Sequence, residues 1–224
     1  SMTVGKYYEK WLSSGISIIS PNRKVAAGPL DLYHRVCQTQ RENSVTWQFE
    51  AGVGSALPVV TTLKDLIDTG DKVNYIKGSL SGTLAYVLST MSEDIPFSEA
   101  VRQAVEKDYA ETDFREDLSG EDMSRKVVIL ARQIGMDVEI SDVELESLIP
   151  DEILQKEYPK DKEAMQQELL EDIKVIDESM RERLQAAEQN DSVLRYKFVI
   201  DTETGKCKCS LEPVTRQDPL YRLK

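Results

Sequence analysis

Short β-type runs and longer stretches with helical spacing follow one another along the first half of the chain. Apolar runs that predict strands lie at residues 16–19, 45–49 and 73–80, and each ends at a turn signal or a helix start. The segments between and after them have helical spacing. The predicted helices span residues 4–12, 29–38, 58–68, 81–91 and 98–107. Repeated strand–loop–helix units of this kind predict an α/β architecture.

The second half begins with an acidic stretch, residues 108–121, which has no clear period and is predicted to be a loop. A helix follows to about residue 132, with Ser119 and Asp122 in capping-box-like spacing before it. Residues 161–189 predict one long amphipathic helix. Residues 193–200 and 206–212 flank a polar turn and predict a β-hairpin. The fold class predicted is α/β (α+β), a mixed sheet flanked by helices.

Composition narrows the possible functions. The 224 residues carry a net charge of −12, so a phosphate backbone would repel the chain and a nucleic-acid partner is not expected. No apolar run reaches the roughly 18 residues that a membrane span needs. With three cysteines there is no disulfide framework, which favours a reducing compartment such as the cytoplasm. His34 is the only histidine, so no histidine-based triad or histidine-rich metal site can be built.

Two segments combine a turn with charged residues. Gly52-Val53-Gly54-Ser55 follows a predicted strand, but Leu57 replaces the third glycine of a dinucleotide-binding loop. A plain tight turn is the favoured interpretation, and a hard-cation site made by Glu50 and backbone carbonyls is the alternative. Asp122 and Lys126 lie four apart, so they share a helix face. They form either a solvated ion pair or part of a polar substrate pocket, in which the lysine delivers a proton.

Two further segments lie at predicted strand ends. Residues 78–83 form a small-residue corner, where free N–H groups hold an anion or where close packing needs small side chains. Residues 21–24 place Arg23 and Lys24 after an apolar run, where they either meet a ligand or form a solvent-facing turn.

Several motifs, in order, resemble homoserine dehydrogenase, and more closely the dehydrogenase half of bifunctional aspartokinase–homoserine dehydrogenases. They cover nearly the whole chain. They include ISPNRK at 19–24, EAGVGSALP at 50–58, KGSLSGT at 77–83, REDLSG at 115–120 and DMSRK at 122–126.

The resemblance implies NAD(P)-dependent interconversion of L-aspartate 4-semialdehyde and L-homoserine, in amino-acid biosynthesis. Lys126 lies at the proton-donor position of the family, where its charge would stabilise the developing alkoxide. Glu111, Asp117 and Asp122 fall at or near substrate-binding positions, and carboxylates suit the amino and hydroxyl groups of homoserine.

The resemblance also implies bound cofactors and a partner. Asn22, Arg23 and Lys24 fall at cofactor-binding positions, for NADP or NAD. The carboxylate of Glu50 and the carbonyls of Val53, Ser55 and Leu57 match a site for a monovalent cation such as Na⁺. A homodimer is expected, in the cytoplasm or, in a photosynthetic eukaryote, the plastid.

This chain departs from the family pattern in three ways. Asp108 stands where the family usually has glycine, and Arg23 where it has lysine. Residues 1–24 are expected to be a remnant of a nucleotide-binding domain, and residues 25–224 the catalytic and dimerisation domain. Because most of the nucleotide-binding half is missing, this chain alone is expected to bind dinucleotide weakly and to be inactive. A non-catalytic dimerisation or regulatory module of the same fold is the alternative function.

Overall fold

In the computed structural model, which describes residues 2–223, the chain divides into two units by its backbone contacts. The first unit contains the residues up to Ile76, Ser124–Glu144 and Val199–Lys208. The second contains Lys77–Met123, Leu145–Phe198 and the residues from Cys209 onward. The boundary expected at residue 24 stays a prediction.

A parallel pair of short strands organises the first unit. Strand β1 pairs with β2, with Ile18 opposite Trp47 and Ile19 opposite Gln48, and helices connect the two strands, as parallel pairing requires. The rings of Trp47 and Phe49 are tilted by 46° with 4.6 Å between their centroids, and Trp47 and Tyr8 pack edge to face. The elements in chain order are α1 (Met2–Gly5), α2 (Tyr8–Ser13), β1 (Ile18–Ile19), α3 (Arg23–Ala26), α4 (Leu30–Glu42), β2 (Trp47–Gln48) and α5 (Val59–Asp68).

The later elements include a four-stranded sheet with strand order β3–β5–β6–β4. The hairpin of β5 and β6 confirms the strands predicted there. The elements are β3 (Tyr75–Gly78), α6 (Gly82–Thr90), α7 (Phe97–Glu106), α8 (Arg115–Leu118), α9 (Glu121–Gln133), β4 (Val143–Leu145), α10 (Asp151–Gln155), α11 (Lys162–Asp172), α12 (Asp177–Glu188), β5 (Ser192–Asp201) and β6 (Lys206–Thr215).

Cys207 and Cys209 on β6 are both buried and form no disulfide, so both thiols pack in the core. The pKa of the Cys207 thiol is raised to about 11, mainly by burial and also by the nearby negative charge of Asp142. A thiol held so firmly in the neutral form is a poor nucleophile.

The single long helix predicted over residues 161–189 is wrong. A 3-10 segment, Ile173–Ile176, separates α11 from α12. The β-branched residues of this segment are poor α-helix formers. In addition, Asp177 binds a residue that lies far from it in the sequence. Its carboxylate accepts hydrogen bonds from the backbone N–H and the hydroxyl of Ser98, at 2.7 and 2.6 Å. Helix α7 begins at Phe97, one residue before its predicted start, and the Ser98 hydroxyl binds Asp177 instead of capping the helix.

Other predicted elements differ in length. The helix predicted over 4–12 is two short helices, and the strand predicted over 45–49 keeps only two paired residues. The loop predicted over 108–121 contains α8, a single helical turn. Strand β4 and helix α10 were not predicted, because three to five residues show no measurable period. Within residues 2–223, no helix is long and apolar enough to cross a membrane.

Candidate functional site

The candidate site in the second unit contains one buried carboxylate. Asp117, on α8, is only 8% exposed. Its Oδ2 accepts a hydrogen bond from the backbone N–H of Glu111 at 3.1 Å. Its Oδ1 lies 3.2 Å from the hydroxyl of Thr83, the second residue of α6. Each carboxyl oxygen therefore has a partner from a different part of the unit.

The surroundings of Asp117 favour its neutral form. Its pKa is raised to about 6: burial is the largest cause, the two hydrogen bonds oppose it, and the negative charges of Asp122 and Glu111 add to it. These interactions show that the structure brings Glu111, Asp117 and Asp122 together, as the resemblance implies. Glu111 is exposed and Asp122 is half-buried. Three acidic groups with different solvent access suit an ammonium group that arrives from solvent.

Lys126 is half-buried on α9, four residues after Asp122. The i,i+4 spacing places both on one face of this helix, as predicted. Met123 and Val127 are buried and anchor the helix in the core. The lysine is thus carried by a rigid element, which is what a proton donor needs for a fixed position.

Arg115 fixes the loop that carries the acidic residues. Its guanidinium donates to both oxygens of Asp113, at 2.8 and 2.6 Å, and to the carbonyls of Leu154 and Lys156 at the end of α10. This pairing lowers the pKa of Asp113. Asp113 is therefore paired with Arg115 and serves the structure of this loop.

Two small residues support the same region. Gly120, between α8 and α9, has φ +77°, and a Cβ there would lie 2.1 Å from the Tyr196 hydroxyl. At Gly78, a Cβ would lie 3.2 Å from the Phe198 ring. Close packing therefore explains Gly78, one of the alternatives left open for the corner at 78–83. Ser81 caps α6, because its hydroxyl accepts from the backbone N–H of Leu84 at 3.1 Å.

The sequence did not single out the side chain of Thr83 as functional. A threonine after Ser-Gly is typical of any helix start, and its partner Asp117 lies 34 residues away. Only the fold shows that the two side chains meet.

Glu50, in the first unit, caps the N-terminus of α5. Its two carboxylate oxygens accept from the backbone N–H groups of Val60 at 2.9 Å and Thr61 at 2.8 Å, and also from the Thr61 hydroxyl. The helix dipole favours a negative charge at this end. This role agrees with the favoured interpretation of a tight turn and does not require a cation.

The backbone after Glu50 is sharply folded. Gly54 has φ +76° and Ser55 has φ +53°. The carbonyl of Leu57 accepts from the N–H of Val59 at 2.9 Å, so one of its lone pairs is used. Val53 is buried and Leu57 is exposed. No group of three or more His, Cys, Asp or Glu side chains that could hold a metal ion occurs in the described part of the chain. A cation here would therefore depend mainly on carbonyl oxygens.

Asn22, Arg23 and Lys24 follow the carboxyl end of β1, which is one strand of a parallel pair. Asn22 is the N-cap of helix α3, and Arg23 and Lys24 are its first two residues. The solvent-facing turn considered for residues 21–24 is therefore replaced by a helix start. Asn22 caps α3, with its Oδ1 accepting from the N–H of Lys24 at 3.1 Å. The carboxyl end of parallel strands is where α/β folds bind nucleotides, and two cationic side chains there suit phosphate.

Comparison with known proteins gives a single family. Residues 58–224 match the family model for homoserine dehydrogenase. The bifunctional aspartokinase/homoserine dehydrogenase of Daucus carota is 38% identical over 98% of this chain, which spans 23% of that protein. The homoserine dehydrogenase of Emericella nidulans is 34% identical over 97% of this chain and 60% of its own length. The chain thus spans about a quarter of the bifunctional relative and three fifths of the other.

Solved structures share the fold. A protein of unknown function from Candida auris superposes with a TM-score of 0.90 at 33% identity, over 100% of this chain and 62% of that one. A putative homoserine dehydrogenase from Archaeoglobus fulgidus gives 0.71 at 27% identity, over 96% and 57%. These matches confirm the predicted fold class, a mixed α/β arrangement of sheets flanked by helices.

Proposed function

The chain belongs to the homoserine dehydrogenase family, an oxidoreductase family, and we propose that the protein containing it interconverts L-aspartate 4-semialdehyde and L-homoserine. The observation that carries the proposal is the cluster of Glu111, Asp117 and Asp122, with Lys126 one helical turn beyond Asp122. Acids that bind an ammonium group and a lysine that carries a proton are the two features that an amino-acid aldehyde requires.

In the direction of reduction, the carboxylates of Glu111 and Asp122 bind the α-ammonium and orient the aldehyde. A nicotinamide cofactor, when bound, would supply the hydride that the aldehyde carbon accepts. As the C=O bond becomes a C–O single bond, the ammonium of Lys126 stabilises the negative oxygen and then gives it a proton, which yields the alcohol and a neutral lysine. The lysine regains a proton from solvent. The reverse direction uses the same groups in the opposite order.

Asn22, Arg23 and Lys24 are proposed to hold the phosphate-bearing part of NADP or NAD. Their place after β1 and their charge support this. A Cβ at Gly52 would lie 3.6 Å from the Arg23 side chain, so Arg23 packs beside the turn that follows Glu50. Arginine keeps its charge at any physiological pH and therefore contributes binding and not proton transfer.

A monovalent cation such as Na⁺ is proposed at the turn made by Glu50 and the carbonyls of Val53, Ser55 and Leu57. The two positive φ angles fold this backbone tightly, as carbonyl coordination requires. The competing interpretation is that Glu50 acts only as the cap of α5.

We further propose that the protein acts on a small-molecule substrate and forms a homodimer. No nucleic-acid or membrane partner is expected. The net charge of −12 supports the exclusion of nucleic acid. We propose the cytoplasm as the location, or the plastid, because plant relatives are named as chloroplastic. The alternative, a non-catalytic module, is less favoured because the relatives are named as dehydrogenases and this chain keeps the lysine and the acids.

The test is the reaction itself. The full natural protein containing this chain is expected to reduce NADP⁺ or NAD⁺ only when L-homoserine is present. An inactive full protein, with intact nucleotide binding, would instead support the non-catalytic module.

A further inference from the structure

The hydroxyl of Thr83 touches two groups at once. Its Oγ1 donates to the carbonyl of Tyr109 at 2.6 Å and lies 3.2 Å from Oδ1 of Asp117. Thr83 is 5% exposed, so water does not replace either contact easily. A threonine hydroxyl has one proton and can donate to only one acceptor at a time.

The segment 109–111 is held at both of its ends by this arrangement. At one end, the Tyr109 carbonyl accepts from Thr83. At the other, the N–H of Glu111 donates to Oδ2 of Asp117. The Tyr109 ring also packs against Tyr86 of α6, with 5.0 Å between centroids. The position of Glu111 therefore depends on Asp117, and the position of Asp117 depends on Thr83.

We propose that Thr83 is a positioning residue, which fixes Asp117 and the Glu111-bearing segment so that their carboxyl groups can receive the ammonium group of an amino-acid substrate. This inference rests on the proposed function for the identity of the substrate. The contacts among Thr83, Tyr109, Asp117 and Glu111 do not depend on that identity.

The geometry distinguishes the two protonation states of Asp117. The shorter contact, to the Tyr109 carbonyl, takes the single proton of Thr83. While that proton stays directed at the Tyr109 carbonyl, Thr83 does not donate to Oδ1 of Asp117. When Asp117 ionises, the Thr83 proton turns to it and the Tyr109 carbonyl loses its donor. The charge of Asp117 is thus coupled to the clamp on the segment 109–111.

The groups that act on Asp117 come from each neighbouring segment. Glu111 lies on the clamped segment and Asp122 on α9, and both are acidic. Thr83, on α6, is neutral and opposes them by hydrogen bonding. On its own helix, Arg115 is bound to Asp113.

The first test is a pH titration by NMR of the 224-residue chain, which follows the Glu111 amide as a reporter of Asp117. Thr83→Val removes the hydroxyl with little change in shape, and the midpoint is expected to move upward by about one pH unit, a tenfold change in proton affinity. Thr83→Ser keeps the hydroxyl and is expected to retain the wild-type midpoint. Thr83→Ala serves if the valine variant does not fold, and Thr39→Val, at a half-exposed threonine on α4, is the matched control.

The second test is kinetic, in the full natural protein. Thr83→Val is expected to raise KM for L-homoserine about tenfold, to change kcat less, and to move the pH profile of KM upward, while Thr83→Ser restores both. Equal midpoints and equal KM profiles in wild type and in folded Thr83→Val or Thr83→Ala would overturn the role of Thr83. If the wild-type protein has no activity, the proposed function fails, and the NMR titration still decides whether Thr83 positions Asp117.

Discussion

The backbone N–H of Glu111 donates a hydrogen bond of 3.1 Å to Oδ2 of Asp117, and this contact ties an exposed acid to a buried one. The exposed acid is free to meet solvent, whereas the buried acid is held near neutrality by its surroundings. The pair therefore combines a solvent-exposed charge with a buried acid whose ionisation depends on what binds nearby. Its consequences can be measured even in the isolated chain.

Asp117 is expected to lower stability as pH rises. Its pKa is raised from 3.8 to about 6 in the folded state, so the folded chain holds the proton more tightly than the unfolded chain. The free energy of unfolding therefore falls between these two pH values, by about 3 kcal/mol for roughly two pH units, and stays low at neutral pH. Asp117→Asn keeps the shape, donates to Thr83 and accepts from Glu111. It is expected to match wild type near pH 4 and to be more stable above pH 6, by up to about 3 kcal/mol.

Thermal or urea unfolding across this pH range checks the prediction. Asp113→Asn is the control, because Asp113 is expected to affect the pH dependence of the free energy of unfolding in the opposite direction. Arg115 lowers the pKa of Asp113, so its stabilising effect is present at neutral pH and is lost as pH falls through the folded pKa. A difference between Asp117→Asn and wild type that does not change with pH would contradict the account.

Glu50→Gln is expected to destabilise the chain by about 1–2 kcal/mol, because one of the two acceptors that cap α5 becomes a donor. Asp65→Asn, at an exposed position of the same helix, is the control and is expected to change stability little. Denaturant titration measures both variants.

The proposed cation adds a second readout at Glu50. Replacing choline by Na⁺ at constant ionic strength is expected to raise the Tm of wild type and not that of Glu50→Gln. A Tm that is independent of the cation in wild type would show that Glu50 is only a helix cap.

Asp108 has φ +56° just after α7, in the left-handed region that favours glycine. Asp108→Gly is expected to stabilise the chain by about 0.5–1 kcal/mol, since it removes the Cβ from a strained conformation. The same change at Asp68, the last residue of α5, is expected to destabilise by a similar amount. A rise in Tm for Asp108→Gly together with a fall in Tm for Asp68→Gly would confirm the argument. A fall in Tm at both sites would contradict it.

Local patterns predicted much of the fold. The hairpin of β5 and β6 and the helix α5 depend on turns and apolar spacing within the segment, and both appear close to their predicted limits. The interruption near Ile173 was not predictable, since it involves the bond between Asp177 and Ser98, 79 residues apart. Parallel pairing of β1 with β2 likewise depends on the helices between them.

The sequence resemblance points to the acids of the candidate site and does not point to the residues that support them. Motif order pointed to Glu111, Asp117 and Asp122, which the structure brings together. Their supports are Thr83, which reaches Asp117 from another helix, and Gly120, where a Cβ would meet Tyr196. Both are tertiary contacts, and neither leaves a pattern in the nearby sequence.

The most direct test of the central claim is the effect of Lys126→Ala on L-homoserine-dependent reduction of NADP⁺ by the full natural protein. Lys174→Ala, at an exposed lysine paired with Glu171, is the matched control. The account predicts that Lys126→Ala lowers kcat by at least about 100-fold, the usual contribution of a positioned proton donor, while the control keeps wild-type activity. A Lys126→Ala enzyme with wild-type kcat would contradict the assignment of the proton donor.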